Sequence, residues 1–249
     1  MVYHLHITSK NYSSWSMRPW LLMRELGIPF EEHSAELISG SYRQPHWKAF
    51  SPLAHVPCLY DVANDSTSSS SDPPLILWES TAIVEHLAEA HPDKPVYPAV
   101  RAARAWARSA TAEMHAGFAT MREEMGMNVG LRVELAEEGV SGALGRDLRR
   151  VDELWEEGLR RFGGPWLAGG EFTAVDAFFA PVVLRTQTYV GAEKWLGERV
   201  RGYVKRMLEV EGVKEWIKLA VGEVGRETLH DEDSIRGRKL LADLRATEE

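Results

Sequence analysis

The sequence predicts an α/β domain followed by an all-helical one, and three observations carry that expectation. Residues 1–92 mix short segments of period-two alternation with segments of helical spacing. A stretch with three prolines in eight positions, HPDKPVYP, then interrupts any regular element. From Arg101 onward helical spacing dominates and strand signals almost vanish.

The first strand is VYHLHIT, whose alternation sets Val2, His4 and His6 on one face and Tyr3, Leu5 and Ile7 on the other. A polar loop, SKNYSS, leads into WSMRPWLLMRELG, where Trp20, Met23 and Leu26 recur at helical spacing and Gly27 and Pro29 supply the stop. PFEEHSAEL reads as a second strand, and a short helix is expected near His46 to Phe50. The end of SPLAHVPCLYDV gives a third strand and LILW, Leu75 to Trp78, a fourth. Between them NDSTSSSSDPP has no apolar residue to bury, so Asn64 to Asp72 is expected to be a mobile loop. ESTAIVEHLAEAH closes the unit as a helix with Ile83, Leu87 and Ala90 on one side.

The order β-α-β-α-β-β-α is that of a thioredoxin-like domain, with helices on both faces of a mixed sheet. The boundaries follow as residues 1–92 for this domain, 93–100 for a linker and 101–249 for a helical bundle. Within the bundle, residues 101–125, 142–162, 173–190 and 197–221 carry helical spacing.

Composition narrows the function. A 249-residue chain with 44% hydrophobic residues can fill a real core, and it contains no apolar run long enough to span a bilayer. Cys58 is the only cysteine, so no intrachain disulfide, CxxC redox pair or cysteine-based zinc cluster can form. A cytoplasmic protein without membrane attachment or bound metal is the expectation. The net charge of -8 argues against nucleic acid as a partner, and the basic GRDLRR stretch reads as a solvated helix face. No phosphate loop, HExxH motif or nucleophile elbow is present.

Four separated motifs resemble those of the glutathione transferase superfamily, and together they span nearly the whole chain. NYSSWSMRPWLL is similar to the serine-type, zeta-like active-site loop, with Ser13 and Ser14 ahead of the helix-borne Arg18. SPLAHVPCL resembles the segment in which a valine precedes a cis-proline, here Val56 and Pro57. WESTAIVEHL is similar to the Glu-Ser turn that opens a helix, here Glu79 and Ser80, and GGEFTAVDAFFAP resembles the buried capping box, here Thr173 and Asp176.

The resemblance implies glutathione as cosubstrate, a small hydrophobic electrophile as its acceptor, and a homodimer. It assigns catalysis to Ser13 and Ser14, and glutathione binding to His55, Val56, Pro57, Glu79 and Ser80. A helix start stabilises a thiolate, and a serine hydroxyl there can donate to sulfur, although a serine in that position also serves as an ordinary cap. The open backbone of Val56 would pair with an extended peptide, and the Glu79–Ser80 turn would take the two charged ends of a γ-glutamyl group. For the electrophile the resemblance points to Tyr12, Trp15, Met114, His115 and Phe118, while the helical spacing of Met114, Phe118, Met121 and Met125 equally describes a core stripe. Tyr12 stands as a rival sulfur ligand. The expected chemistry is thiolate attack on an apolar electrophile, with glutathione-dependent isomerisation and non-catalytic binding as alternatives.

Overall fold

The computed structural model describes residues 2–38, 44–62 and 73–246. Its first half is a four-stranded sheet of β1 (Val2–Ile7), β2 (Phe30–Ser34), β3 (Cys58–Val62) and β4 (Leu75–Trp78), in the order β2-β1-β3-β4. β1 pairs parallel with β2, Tyr3 opposite Phe30 and His6 opposite His33, and antiparallel with β3, Leu5 opposite Leu59. This register follows from burial. Tyr3, Leu5 and Ile7 are almost fully enclosed under α1 (Ser14–Glu25) and α2 (Ser80–Ala90), while His4 and His6 take the other face. Gly27 at φ +60 closes α1, a conformation that costs glycine little, and Ile28 then donates back to the Met23 carbonyl at 2.9 Å.

The second sheet face departs from expectation. In place of an α-helix the chain makes one 3-10 segment, Pro45–Ala49, anchored by the buried Trp47, whose indole donates to the Glu36 carbonyl at 3.1 Å. That single short segment leaves His4, His6, His33 and Tyr60 half-buried. The serine-rich Asn64–Asp72 stretch lies outside the described residues.

After α2 the chain runs through the proline-rich segment into helices: α3 (Arg101–Ala116), α4 (Ala119–Glu124), α5 (Gly142–Phe162), α6 (Ala174–Thr188), α7 (Glu198–Leu208), α8 (Glu211–Gly222) and α9 (Thr228–Ile235). The architecture is a thioredoxin-like sheet domain followed by a helical domain. α6 is its axis, buried along nearly its whole length and packed on α1, α3 and α7. The stretch expected as one helix to residue 125 breaks at Phe118, which takes a left-handed φ of +56, and the 197–221 stretch breaks at Glu209.

The helical half also contains strand, contrary to the all-helical expectation. β5 (Leu131–Glu134) pairs parallel with β6 (Tyr189–Val190) and antiparallel with β7 (Leu240–Asp243). The returning β7 carries Arg245 back to the loop ahead of α1, where its guanidinium reaches the Tyr12 hydroxyl at 3.0 Å.

Candidate active site

A cavity of about 570 Å³ opens where the start of α1 meets the helical half. Ser13 is the N-cap of α1, its oxygen accepting from the Ser16 amide at 3.3 Å. The Ser13 and Ser16 hydroxyls lie 2.8 Å apart, and Ser16 Oγ also accepts from the Thr8 amide at 3.4 Å. Either hydroxyl can donate to the other, so the Ser13 oxygen can cap the helix while its proton turns into the cavity. Ser14 Oγ accepts from Arg185 at 3.5 Å, which leaves that hydroxyl a proton to give as well. Both serines line the cavity, at the positive end of the helix.

The facing wall comes from the sheet domain. The Val56–Pro57 bond is cis, and the amide and carbonyl of Val56 have no backbone partner among the described residues. His55, Val56, Pro57 and Glu79 line the same cavity. Glu79 sits at φ +81, a region unfavourable for a non-glycine residue by about 1–3 kcal/mol, and so starts α2 at Ser80. Ser80 is buried behind this wall, and its hydroxyl has no hydrogen-bond partner among the described residues.

The third wall differs from the sequence expectation. Met114 and Phe118 are enclosed in the core and do not line the cavity, because the left-handed turn at Phe118 swings the helical stripe inward. His115 stands one layer back, edge-on to Trp15 at 5.3 Å and 3.5 Å from the Glu79 carboxylate. Burial lowers its pKa, which keeps the ring neutral. Trp15 does line the cavity, with the Arg18 guanidinium stacked 4.1 Å from its ring centre. Arg18 is wholly buried between Trp15 and Phe178, and its Nε and Nη1 have no hydrogen-bond partner among the described residues. Burial, and then the neighbouring Arg185 and Arg122, hold its pKa below the ordinary value.

Arg122, Arg185, Glu123, Met127, Trp47 and His230 also line the cavity, and none of them belongs to a motif singled out in the sequence. A signal existed for Arg185. It is the one charged residue after Asp176 in the otherwise apolar AVDAFFAPVVLRTQT helix, and it is buried there, donating to the Met125 carbonyl at 2.7 Å. Arg122 donates to the Met114 carbonyl at 3.1 Å and has no carboxylate within 4 Å among the described residues.

Two family models match the chain. Residues 12–90 match the model for the glutathione S-transferase N-terminal domain and residues 104–206 that for the C-terminal domain. The chain belongs to the glutathione S-transferase family of enzymes. It is 28% identical over 184 residues to glutathione S-transferase GstB of Escherichia coli strain K12, covering 70% of this chain and 79% of that one. Over 69 residues it is 35% identical to the glutathione S-transferase-like protein gedE of Aspergillus terreus, 28% of this chain and 26% of that protein. A glutathione transferase homologue from Burkholderia gl BGR1, solved with bound glutathione, superposes with a TM-score of 0.59 at 22% identity over 88% of this chain and 97% of its own. That likeness concerns the fold.

Within this transferase, Tyr12 is occupied elsewhere. Its hydroxyl donates to Asp231 at 3.1 Å and accepts from the Glu227 amide at 3.1 Å and from Arg245. Burial, with the Asp231 carboxylate adding to it, pushes Tyr12 above its ordinary pKa. The ring lines the cavity but the hydroxyl holds the C-terminal segment, so Tyr12→Phe is expected to loosen α9 at a cost of about 1 kcal/mol without moving the pKa of a bound thiol. Hydrogen exchange across residues 227–235 and a thiol titration check the two halves separately. A thiol pKa raised in this variant would return Tyr12 to the sulfur.

Cys58 offers no second nucleophile. It is fully buried, its thiol is pushed up to about 12 by burial, and its Sγ donates to the Phe50 carbonyl at 3.5 Å. Disulfide reduction through this residue has no exposed thiolate to start from. Among the described residues no helix is long and apolar enough to cross a membrane.

Proposed function

We propose that the protein binds glutathione in this cavity and activates its thiol, as thiolate, for attack on an electrophilic carbon. One observation carries the reading. The start of α1 with Ser13 and Ser14, the unpaired backbone of Val56, and Glu79 all border a single space, with the open hydroxyl of Ser80 buried behind Glu79. An extended tripeptide pairs with Val56, sets its γ-glutamyl carboxylate at the start of α2 beside Ser80 and its ammonium near Glu79, and delivers its sulfur to the start of α1. The sulfur then gives its proton to water or buffer, holds its charge against the Ser13 hydroxyl and the helix dipole, and forms a bond to carbon as the leaving group departs.

The electrophile side has an apolar floor in Trp15 and Met127 and two cations, Arg122 and Arg185, against one carboxylate, Glu123. It suits a compound with an apolar body and one anionic group better than a purely apolar one. Calorimetric titration with glutathione tests the binding reading. Saturable binding that weakens about tenfold in Ser80→Ala, with the fold intact, is expected. Absence of any saturable heat from the parent chain removes the proposal.

A further inference from the structure

We propose that His4, Glu31 and His33 form a binding site for a divalent transition ion of borderline softness, zinc in the first instance, on the sheet face away from α1. The placement begins in the strands. Side chains two apart in a strand share a face, so His4 and His6 of β1 stand beside Glu31 and His33 of β2, and the parallel register puts His4 opposite Glu31 and His6 opposite His33. Because, among the described residues, only a short 3-10 segment covers part of this face, the cluster is reachable from solvent, and Glu31 is 62% exposed.

The three residues already bring one donor atom each within 4.8 Å of one another. His4 Nδ1 and His33 Nε2 lie 2.9 Å apart; Glu31 Oε2 is 3.4 Å from the first, and the other carboxylate oxygen, Oε1, is 3.3 Å from the second. Zinc bonds of about 2.0–2.2 Å to nitrogen and oxygen imply edges of about 3.3–3.5 Å between tetrahedral ligands. Opening the histidine pair by a few tenths of an ångström and turning one Glu31 oxygen toward both rings gives that geometry, with a fourth position left to water. His33 is held for this role: its ring stacks on His6 at 4.8 Å, and His6 stacks in turn on Phe50 at 4.6 Å. Two imidazoles and one carboxylate select a borderline ion over magnesium or calcium, which prefer all-oxygen shells. The motif escapes a linear search because its ligands come from VYHLHI and FEEHS, joined only by β-pairing.

The test is metal titration of the full chain in buffer free of glutathione. One equivalent of Zn²⁺ is expected to bind and raise the melting temperature, and Co²⁺ in its place should give the intense visible absorption of a four-coordinate nitrogen and oxygen site, bleached by Zn²⁺. His4→Ala and His33→Ala should each weaken binding about tenfold or more and remove the cobalt spectrum. Glu31→Ala, at an exposed side chain, gives an independent reading should a histidine variant fold poorly. Unchanged zinc affinity in Glu31→Ala and in His4→Ala, or a parent chain that binds no Zn²⁺ or gives only the pale spectrum of six-coordinate cobalt, overturns the proposal.

Discussion

Asp176→Ala is expected to lower stability by about 3–5 kcal/mol, a fall of roughly 6–20 °C in melting temperature for a chain of this size. The carboxylate is fully buried and gathers four donors: the Leu167 and Thr173 amides at 3.0 Å each, the Tyr203 hydroxyl at 3.2 Å and the Thr173 hydroxyl at 3.3 Å. The first two tie the start of α6, the axis of the helical half, to the turn before it, and removal of the carboxylate strands all four. Asp176→Asn should fall nearly as far, since the amide brings two N–H groups into a space already crowded with donors. Burial pushes the Asp176 carboxyl up to about 6 despite these bonds. Between the ordinary carboxylate value and about 6 the folded chain holds a proton that the unfolded chain has lost, so this group makes stability fall as pH rises through that window and level off above it. The asparagine variant should lack that slope. Thermal melts across pH 4–8 decide the matter, and an asparagine variant that melts with the parent would show the four donors to be indifferent to charge.

Ser13→Ala is expected to raise the pKa of bound glutathione thiol by one to two units and to slow conjugation at neutral pH by roughly tenfold to a hundredfold. Glutathione affinity should change little, because the proposed binding contacts are those of Val56, Glu79 and Ser80. The same substitution removes the α1 cap at about 1 kcal/mol, so the loss of rate must be read on protein shown to be folded. Thiolate absorbance of the bound tripeptide against pH is the direct measurement. A shift in Ser14→Ala with none in Ser13→Ala would move the sulfur contact to the hydroxyl polarised by Arg185. No shift in either would leave the helix start alone to hold the charge.

What could be read in the sequence divides along physical lines. The period-two pattern of residues 2–8, the stop at Gly27 and the full span of α5 all came from signals that local chemistry dictates. β5, β6 and β7 did not, since strands of two to four residues leave no periodicity, and their pairing depends on segments far apart in the chain, Val133 with Tyr189 and Leu131 with Asp243. The break at Phe118 was hidden because a left-handed residue between two helices follows from packing, and phenylalanine announces no such turn. At the site, the sheet-domain contributions sit in short motifs on one stretch of chain. The electrophile wall is assembled from α4, α6 and α9, and its placement depends on the same break that turned Met114 and Phe118 into core.

The return of the C-terminal segment to the loop ahead of α1 has a consequence for how the enzyme is made. Tyr12 is secured by Asp231 and Arg245, and Glu223 accepts from the Ser9 hydroxyl and from the Lys10 and Asn11 amides, contacts separated by more than two hundred positions in the chain. During synthesis the sheet domain leaves the ribosome long before these partners exist, and it can settle its core around Tyr3, Leu5 and Ile7 at once. The loop that carries Ser13 acquires its last restraints only when residue 245 has emerged. Glutathione binding should therefore appear late in translation, after the sheet itself has become resistant to protease, and a nascent chain arrested near residue 220 should hold a folded first domain that does not yet bind the tripeptide.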